Sequence, residues 1–300
     1  MLLYYVVAYI GTYGTVALFL TRGGSFRDPA WVFFAQILML VPAASAILLQ
    51  RFVFRKPVRA SLAIRLRPNR WFAVAWLLPL VLAFAALGLE LLQPGVTFDG
   101  SLAPAVKRAY LSEGQVAQAR ALALHLSVPT LVLLAASWLP FSLTMSLVAG
   151  CGEEIGWRGF LHGALRPLGF WRCALLTGMF WALWHVPLVA LGYGYPQHPR
   201  SGVVVMVVCL ALSAVIYAYI RERSASSIAA GLYHSSSSAA LLIVVAPTAG
   251  GSDLTINASG LTQVALVILV IGALALHDRF LSPNPVMFRG LRARRENLNQ

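Results

Sequence analysis

Apolar residues follow one another along this 300-residue chain in long blocks, with few polar interruptions inside each block. A helix needs about 20 apolar residues to cross a hydrocarbon core of roughly 30 Å. Helices also satisfy every backbone N–H and C=O within one segment, as lipid requires. The pattern therefore predicts eight membrane-spanning helices, near residues 2–20, 30–50, 71–93, 127–150, 173–192, 202–220, 226–246 and 259–276.

The composition supports a membrane protein over a soluble one. Hydrophobic residues make up 59% of the chain and charged residues 11%, and the mean hydropathy is +0.76. A soluble domain has about 25% charged residues, so this chain has too few to cover a large core. No internal repeat is present. The predicted fold is an all-α, polytopic membrane helix bundle, with residues 1–300 forming a single integral membrane domain.

Basic residues are concentrated in a few of the loops between the apolar blocks. The loop after the second block, residues 51–70, contains seven of them. Cytoplasmic loops of membrane proteins are enriched in Lys and Arg, and placing this loop inside puts 17 of the 23 basic residues on the cytoplasmic side. The sequence therefore predicts that both termini are cytoplasmic and that residues 278–300 form a basic cytoplasmic tail.

The net charge of +13 is explained by these loops, because basic residues beside a membrane meet anionic lipid headgroups. A nucleic-acid partner would require a basic patch on a soluble domain, and the sequence contains none. Lysine is scarce, which favours a bacterial source. We expect an integral protein of the bacterial plasma (inner) membrane, with lipids as its surroundings.

A charged motif, "GEEIGWRGFL", stands at the end of the fourth apolar block. Glu154 and Arg158 are four residues apart and can pair on one helix face, which leaves Glu153 without a partner. Two histidines, His185 and His234, lie near the middle of the fifth and seventh blocks. Ionisable residues at membrane depth usually mark function. His162, four residues after Arg158, is interpreted as an interfacial residue without a role.

Both a structural and a chemical interpretation fit these residues. A lone Glu–Arg pair often caps a membrane helix, and a single buried histidine usually bonds to a neighbouring helix. One glutamate and two histidines together, however, can ligate a divalent metal or hold and deprotonate a water molecule. Either arrangement suits hydrolysis of an acyl bond, such as a peptide bond.

Three motifs in order resemble the CPBP family, the group of type II CAAX prenyl endopeptidases and abortive-infection proteins. "EEIGWR" matches the family pattern EExxxR, and "WALWH" supplies an aromatic residue, Trp181, four positions before His185. "HSSSS" supplies His234 and, four positions later, Ser238. The resemblance covers a catalytic core of about residues 125–245. The first motif is specific, whereas the two histidine motifs are weak alone.

The resemblance implies an intramembrane glutamate- or metallo-endopeptidase that acts on a membrane-associated protein or peptide. Glu153 would be the general base, and Glu154 its supporting carboxylate, held by Arg158. His185 and His234 would orient the water or, with Glu153, bind a metal such as zinc. The zincin motif HExxH is absent. Two residues depart from the family pattern: Trp181 stands in place of Phe, and Ser238 in place of Asn.

Two other functions remain open from the sequence. A proton or metal transporter would use the same Glu and His residues, with polar residues continuing toward both faces of the membrane. A non-catalytic scaffold or immunity protein on the same fold would be consistent with Ser238. Loss of a glutamate or a histidine would have favoured the scaffold, and all of them are present.

Overall fold

The computed structural model describes residues 1–26, 29–107 and 113–288. Within these ranges the chain is built from helices and one short pair of strands. The helices are α1 (Leu2–Thr21), α2 (Pro29–Leu38), α3 (Val41–Leu48), α4 (Val58–Ser61), α5 (Arg70–Leu91), α6 (Ala103–Lys107), α7 (Glu113–Leu126), α8 (Thr130–Leu143), α9 (Met145–Glu154), α10 (His162–Leu165), α11 (Phe170–Ala190), α12 (Pro199–Ser224), α13 (Ser227–Val245) and α14 (Leu261–Leu276). The strands are β1 (Val96–Phe98) and β2 (Thr248–Gly250), and π-helical turns extend α3, α9 and α14 over Leu49–Val53, Ile155–Leu161 and His277–Leu281.

The described residues contain seven helices that are long and apolar enough to cross a membrane, and eight if one bent pair is counted as a span. This confirms the predicted polytopic helix bundle. The seven are Leu2–Thr21, Phe33–Val53, Arg70–Leu91, Phe170–Ala190, Pro199–Ser224, Ser227–Val245 and Leu261–Leu281.

The predicted fourth span, 127–150, is wrong as a single helix. It is divided at Thr144, whose backbone leaves the helical region with φ −115° and ψ −123°. Pro140 lies in the last turn of α8 and has no N–H to donate to the carbonyl one turn before it. Its own carbonyl accepts from the Thr144 hydroxyl at 2.7 Å. Before α8, the chain bends by 109° from α7. Pro129 stands directly at this bend and disfavours a continuous helix.

The chain reverses direction from one span to the next, so the span ends are grouped at two opposite faces of the bundle. β1 follows α5 and β2 follows α13, and the strands pair antiparallel with Val96 opposite Gly250. On the same face, Gln93 Nε2 donates to Thr262 Oγ1 at 2.9 Å. At the other end of the bundle, the Ser227 hydroxyl donates to the Leu62 carbonyl at 2.9 Å. We call this second end the arginine-rich face, because it contains the loop 51–70.

The beginning of the predicted basic tail packs against the arginine-rich face. Asp278 is fully buried, and it accepts hydrogen bonds from the Val286 and Met287 backbone N–H groups and from the Tyr219 hydroxyl. Residues 278–288 therefore fold back onto the end of α12. The rest of the predicted tail, residues 289–300, lies outside the described residues.

Helix α13 is the most deeply buried of the spans, with 67% of its apolar window inside the bundle. It packs against α5, α8, α9 and α12, and its serines bond across these contacts. Ser235 Oγ donates to the Ser142 carbonyl at 2.6 Å, and Ser236 Oγ accepts from Trp138 Nε1 at 3.0 Å. Such bonds satisfy polar groups away from water and fix the rotation of α13, which presents His234.

Candidate active site

Helices α9 and α13 approach each other closely enough for their backbones to touch. A Cβ atom added to Gly150 would lie 2.7 Å from the Gly231 carbonyl oxygen, and one added to Gly231 would lie 2.5 Å from Cys151 Sγ. Only glycine fits at both positions. This contact places the end of α9, with its two glutamates, directly beside His234 of α13.

Glu154 lies at the centre of a buried ion-pair network. Arg158 Nη1 is 3.0 Å from Glu154 Oε1 and 2.9 Å from Oε2, and both side chains are fully buried. His234 Nδ1 is 3.0 Å from the same Oε1 atom. The guanidinium carbon of Arg158 lies 4.6 Å from the Trp181 ring centroid and 4.3 Å from that of Tyr217. The structure confirms the i,i+4 pair that the sequence predicts. The Glu154 carboxylate is held in place by its ion pair with Arg158 and by its hydrogen bond with His234.

Glu153 has different surroundings from its neighbour. Its side chain is buried, and Trp181 Nε1 donates to Glu153 Oε2 at 2.6 Å. Among the residues that the structure describes, no Lys, Arg or His nitrogen lies within 4.0 Å of this carboxylate. Glu153 is thus a buried carboxylate with one neutral donor and no close cation.

The ring of His185 is fixed by the helix that contains it. His185 Nδ1 lies 3.0 Å from the Trp181 carbonyl oxygen. A carbonyl only accepts hydrogen bonds, so Nδ1 carries the proton and Nε2 is the basic atom of the neutral ring. Trp181 therefore links two candidate residues, since its indole binds Glu153 and its carbonyl binds His185.

Three of the candidate residues form one compact donor group. Glu153, Glu154 and His234 each offer an oxygen or nitrogen atom, and these atoms lie within 4.8 Å of one another. His185 is not part of this group, so Glu154 takes the place that the sequence assigned to His185 in a metal site. Two carboxylates and one imidazole are donors that would suit a divalent ion such as zinc.

Ser238 lies apart from the compact group. It stands one helical turn after His234 on α13, and its side chain is exposed. Within the described parts of the chain, no hydrogen bond joins Ser238 to the glutamates or the histidines. The structure places it on the same side of α13 as His234 but not in contact with the buried network.

His162, interpreted from the sequence as an interfacial residue without a role, is buried in the bundle and has a carboxylate partner. Its side chain is 2% exposed, and its Nε2 atom lies 3.0 Å from Glu222 Oε1. Arg166 Nη2 lies 3.0 Å from the other oxygen of Glu222, and Arg221 Nε donates to the Arg158 carbonyl at 3.2 Å. The end of α12 thus holds the π-helical turn that contains Arg158.

Two further residues at the site, Tyr217 and Tyr4, could not be identified from the sequence. Tyr217 stacks on Arg158 from within an apolar stretch of α12, where nothing distinguishes it from an ordinary lipid-facing aromatic residue. Tyr4 of α1 is fully buried, and a Cβ atom on Gly156 would lie 2.3 Å from its hydroxyl. Both residues are identified as part of the site only by their contacts in the folded structure.

Two comparisons with known proteins both give CAAX prenyl proteases. Residues 135–240 match the family described as type II CAAX prenyl endopeptidase, Rce1-like. The chain is also similar to CAAX prenyl protease 2 of Methanococcus maripaludis, with 37% identity over 54 residues. This similarity covers 18% of the chain and 20% of the relative, so the chain spans about a fifth of the relative's length. All six sequence candidates lie within residues 135–240.

Proposed function

We propose, from the membership of residues 135–240 in the CPBP family of type II CAAX prenyl endopeptidases, that this protein is an intramembrane endopeptidase. Its substrate is a membrane-associated protein or peptide, and the bond cleaved is a peptide bond. The observation that supports this most directly is the contrast between the two adjacent glutamates: Glu154 is held by Arg158, whereas Glu153 has no close cation.

Glu153 is the general base in this proposal. General-base catalysis requires contact with the reacting water, and the Glu153 carboxylate, unlike that of Glu154, is not already engaged in an ion pair with arginine. The Trp181 N–H orients one oxygen of Glu153. The other oxygen is available to take a proton from a water molecule, which then attacks the substrate carbonyl.

Glu154 and Arg158 position His234. Because Arg158 pairs with Glu154, and His234 Nδ1 lies 3.0 Å from the same carboxylate, His234 donates to Glu154 through Nδ1. Its Nε2 lone pair is left to accept a hydrogen bond from the water. The His185 ring offers its Nε2 atom in the same way. Glu153, Glu154 and His234 would also hold a divalent ion, which when bound polarises a carbonyl and acidifies a water molecule.

The substrate reaches this site from the arginine-rich face, which we propose is cytoplasmic, with both termini on that side of a bacterial inner membrane. Ser238 is exposed one turn beyond His234, and we propose that its hydroxyl donates to the substrate oxygen on which negative charge develops. Serine is shorter than asparagine, so it reaches an oxygen only when the substrate lies close to α13.

The test is Glu153→Gln, which removes the base and keeps the shape of the side chain. With an internally quenched farnesylated CAAX peptide as the probe, kcat should fall by about 10²- to 10⁴-fold. The matched control is Glu113→Gln on the exposed side of α7, which should keep full turnover. Near-normal turnover of Glu153→Gln would remove the water-activation mechanism.

Cleavage of natural substrates provides the second arm of the test. Membranes that contain the active protein should yield cleaved peptides that are missing from membranes with Glu153→Gln at equal abundance. If neither the probe nor any membrane protein is cut by the active form, the endopeptidase proposal fails, and a scaffold or transporter function would explain the fold better.

A further inference from the structure

Helix α1 packs into the bundle with a polar residue on its buried face. Its buried residues recur every fourth position, at Tyr4, Ala8, Thr12 and Val16. Thr12 is fully buried in the middle of an apolar membrane helix, where a hydroxyl needs a partner. This helix lies outside residues 135–240, so the family comparison assigns nothing to it.

The partner of Thr12 is Trp184 on α11. Trp184 Nε1 donates to Thr12 Oγ1 at 3.1 Å, and the neighbouring Tyr13 hydroxyl donates to the Trp184 carbonyl. Two adjacent residues of α1 thus hold both the indole and the backbone of one tryptophan. Trp184 is 2% exposed and Thr12 is fully buried, so water cannot replace the contact between the indole N–H and Thr12.

Trp184 directly precedes His185 and packs against it. The two ring centroids are 4.8 Å apart, with an angle of 86° between the planes. The Trp181 ring contacts His185 at 5.7 Å and 81°, and the Trp181 carbonyl holds Nδ1. The direction of His185 Nε2 therefore depends on where the Trp184 indole lies.

We propose that Thr12 is a positioning residue for His185, and that it acts through the Trp184 indole. The inference rests on the proposed function only for the role of His185 in turnover; the link from Thr12 to the His185 ring does not depend on it. Without the Thr12 oxygen, the buried indole N–H has no acceptor and the indole reorients to find one. The His185 ring then loses the packing contact with Trp184, and only the Trp181 contacts remain to fix its direction.

Helix packing alone predicts a different outcome. If Thr12 only joins α1 to α11, its loss lowers the melting temperature and the yield of folded protein, and the folded fraction keeps its kcat. A positioning role lowers kcat for the folded fraction and leaves KM nearly unchanged, because substrate binding does not involve the indole. Small displacements of a catalytic group cost up to about 10²-fold in rate.

The experiment compares Thr12→Val with Thr15→Val. Thr15 is on the same helix, but its hydroxyl donates to the Gly11 carbonyl of α1 itself at 2.7 Å. With the farnesylated CAAX peptide as the probe, Thr12→Val should lower kcat by roughly 10- to 100-fold and Thr15→Val should not. Thr12→Ser keeps the acceptor and should restore most of the rate.

A double-mutant cycle tests the route through the indole. Trp184→Phe removes the N–H group and keeps an aromatic ring beside His185. If Thr12 acts through this group, Thr12→Val combined with Trp184→Phe should be no slower than Trp184→Phe alone. Additive losses in the double variant would show that Thr12 acts elsewhere.

The link from Thr12 to the His185 ring can also be measured without any substrate, by imidazole ¹⁵N NMR of histidine-labelled protein in nanodiscs. The His185 signals, assigned by their loss in His185→Gln, should shift in Thr12→Val, while those of His277 stay in place. Unchanged His185 signals, or a kcat that falls only in proportion to folded protein, would overturn the inference. Should the peptide not be cut by any form, the NMR result still decides it, and only the proposed function is lost.

Discussion

The two adjacent carboxylates of this site differ because helical geometry points them in different directions. Glu154 faces Arg158, one turn away, and His234 of α13. Glu153 is rotated toward α11, where it meets the Trp181 indole. Neighbouring residues of identical chemistry thus differ in their contacts: Glu154 is paired with Arg158 and His234, and Glu153 is bonded to a neutral indole.

The difference between Glu153 and Glu154 depends on Arg158, and replacing Arg158 should destabilise the fold. Arg158→Ala leaves Glu154 buried without its cation and should lower the free energy of unfolding by about 3–5 kcal/mol. Arg158→Lys should recover only part of this, because lysine lacks the planar group that stacks between Trp181 and Tyr217. Thermal unfolding in detergent, monitored beside turnover, measures both effects.

The matched control for this prediction is Arg166→Ala. Arg166 also pairs with a glutamate, but its side chain is 60% exposed, so solvent screens the pair and its loss should cost at most about 1 kcal/mol. Equal destabilisation by the two substitutions would mean that the Arg158 pair is not buried as described.

Among the helices, the apolar blocks predicted the spans because length and composition decide whether a helix can cross a membrane. They did not predict the break at Thr144, since α8 and α9 are both apolar and a proline such as Pro140 is tolerated inside a membrane helix, as Pro79 is within α5. The π-helical turn Ile155–Leu161 was also not predictable. It depends on contacts with α1, α3 and α12 that no local pattern records.

The same limit applies to the candidate site. The motif spacing predicted the pairing of Glu154 with Arg158, because four residues on a helix share a face. It did not predict that His234 would bind Glu154 while His185 lies beside Trp181 and outside the compact group. Those partners depend on how α11 and α13 rotate in the bundle, which is set by buried contacts such as Ser235 with Ser142.

The close contact between α9 and α13 leads to a prediction about Gly150. Gly150→Ala brings a methyl group against the Gly231 backbone, which cannot move aside as a side chain would. It should lower the free energy of unfolding by about 1–3 kcal/mol and reduce turnover, because Glu154 moves away from His234. Thermal unfolding and the peptide assay measure these two changes.

A glycine in open space provides the control. A Cβ atom on Gly88, inside α5, would meet no atom within 4 Å. Gly88→Ala should therefore leave turnover intact and stabilise the helix by up to about 1 kcal/mol. If Gly150→Ala behaved like Gly88→Ala, the backbone contact between α9 and α13 would not exist.

For the whole molecule, the contacts between loops agree with the alternation of the spans. The β1–β2 pair joins the ends of α5 and α13 on one face, and the Ser227–Leu62 bond joins two segments on the other. These contacts fix which ends lie together, and the distribution of arginines predicts which end faces the cytoplasm.

Reporter fusions measure that orientation directly. A fusion at Gln300, which lies outside the described residues, should be active in the cytoplasm, and a fusion at Pro199, at the start of α12, should be active on the opposite side. The physical reason is that moving the loop 51–70 across the membrane would transfer seven basic residues away from the anionic cytoplasmic leaflet. Signals from one and the same side would contradict the three spans, α12, α13 and α14, that separate Pro199 from Gln300. Exchanged signals would keep the bundle but move the active-site entrance to the outer face, where a cytoplasmic substrate could not reach Glu153.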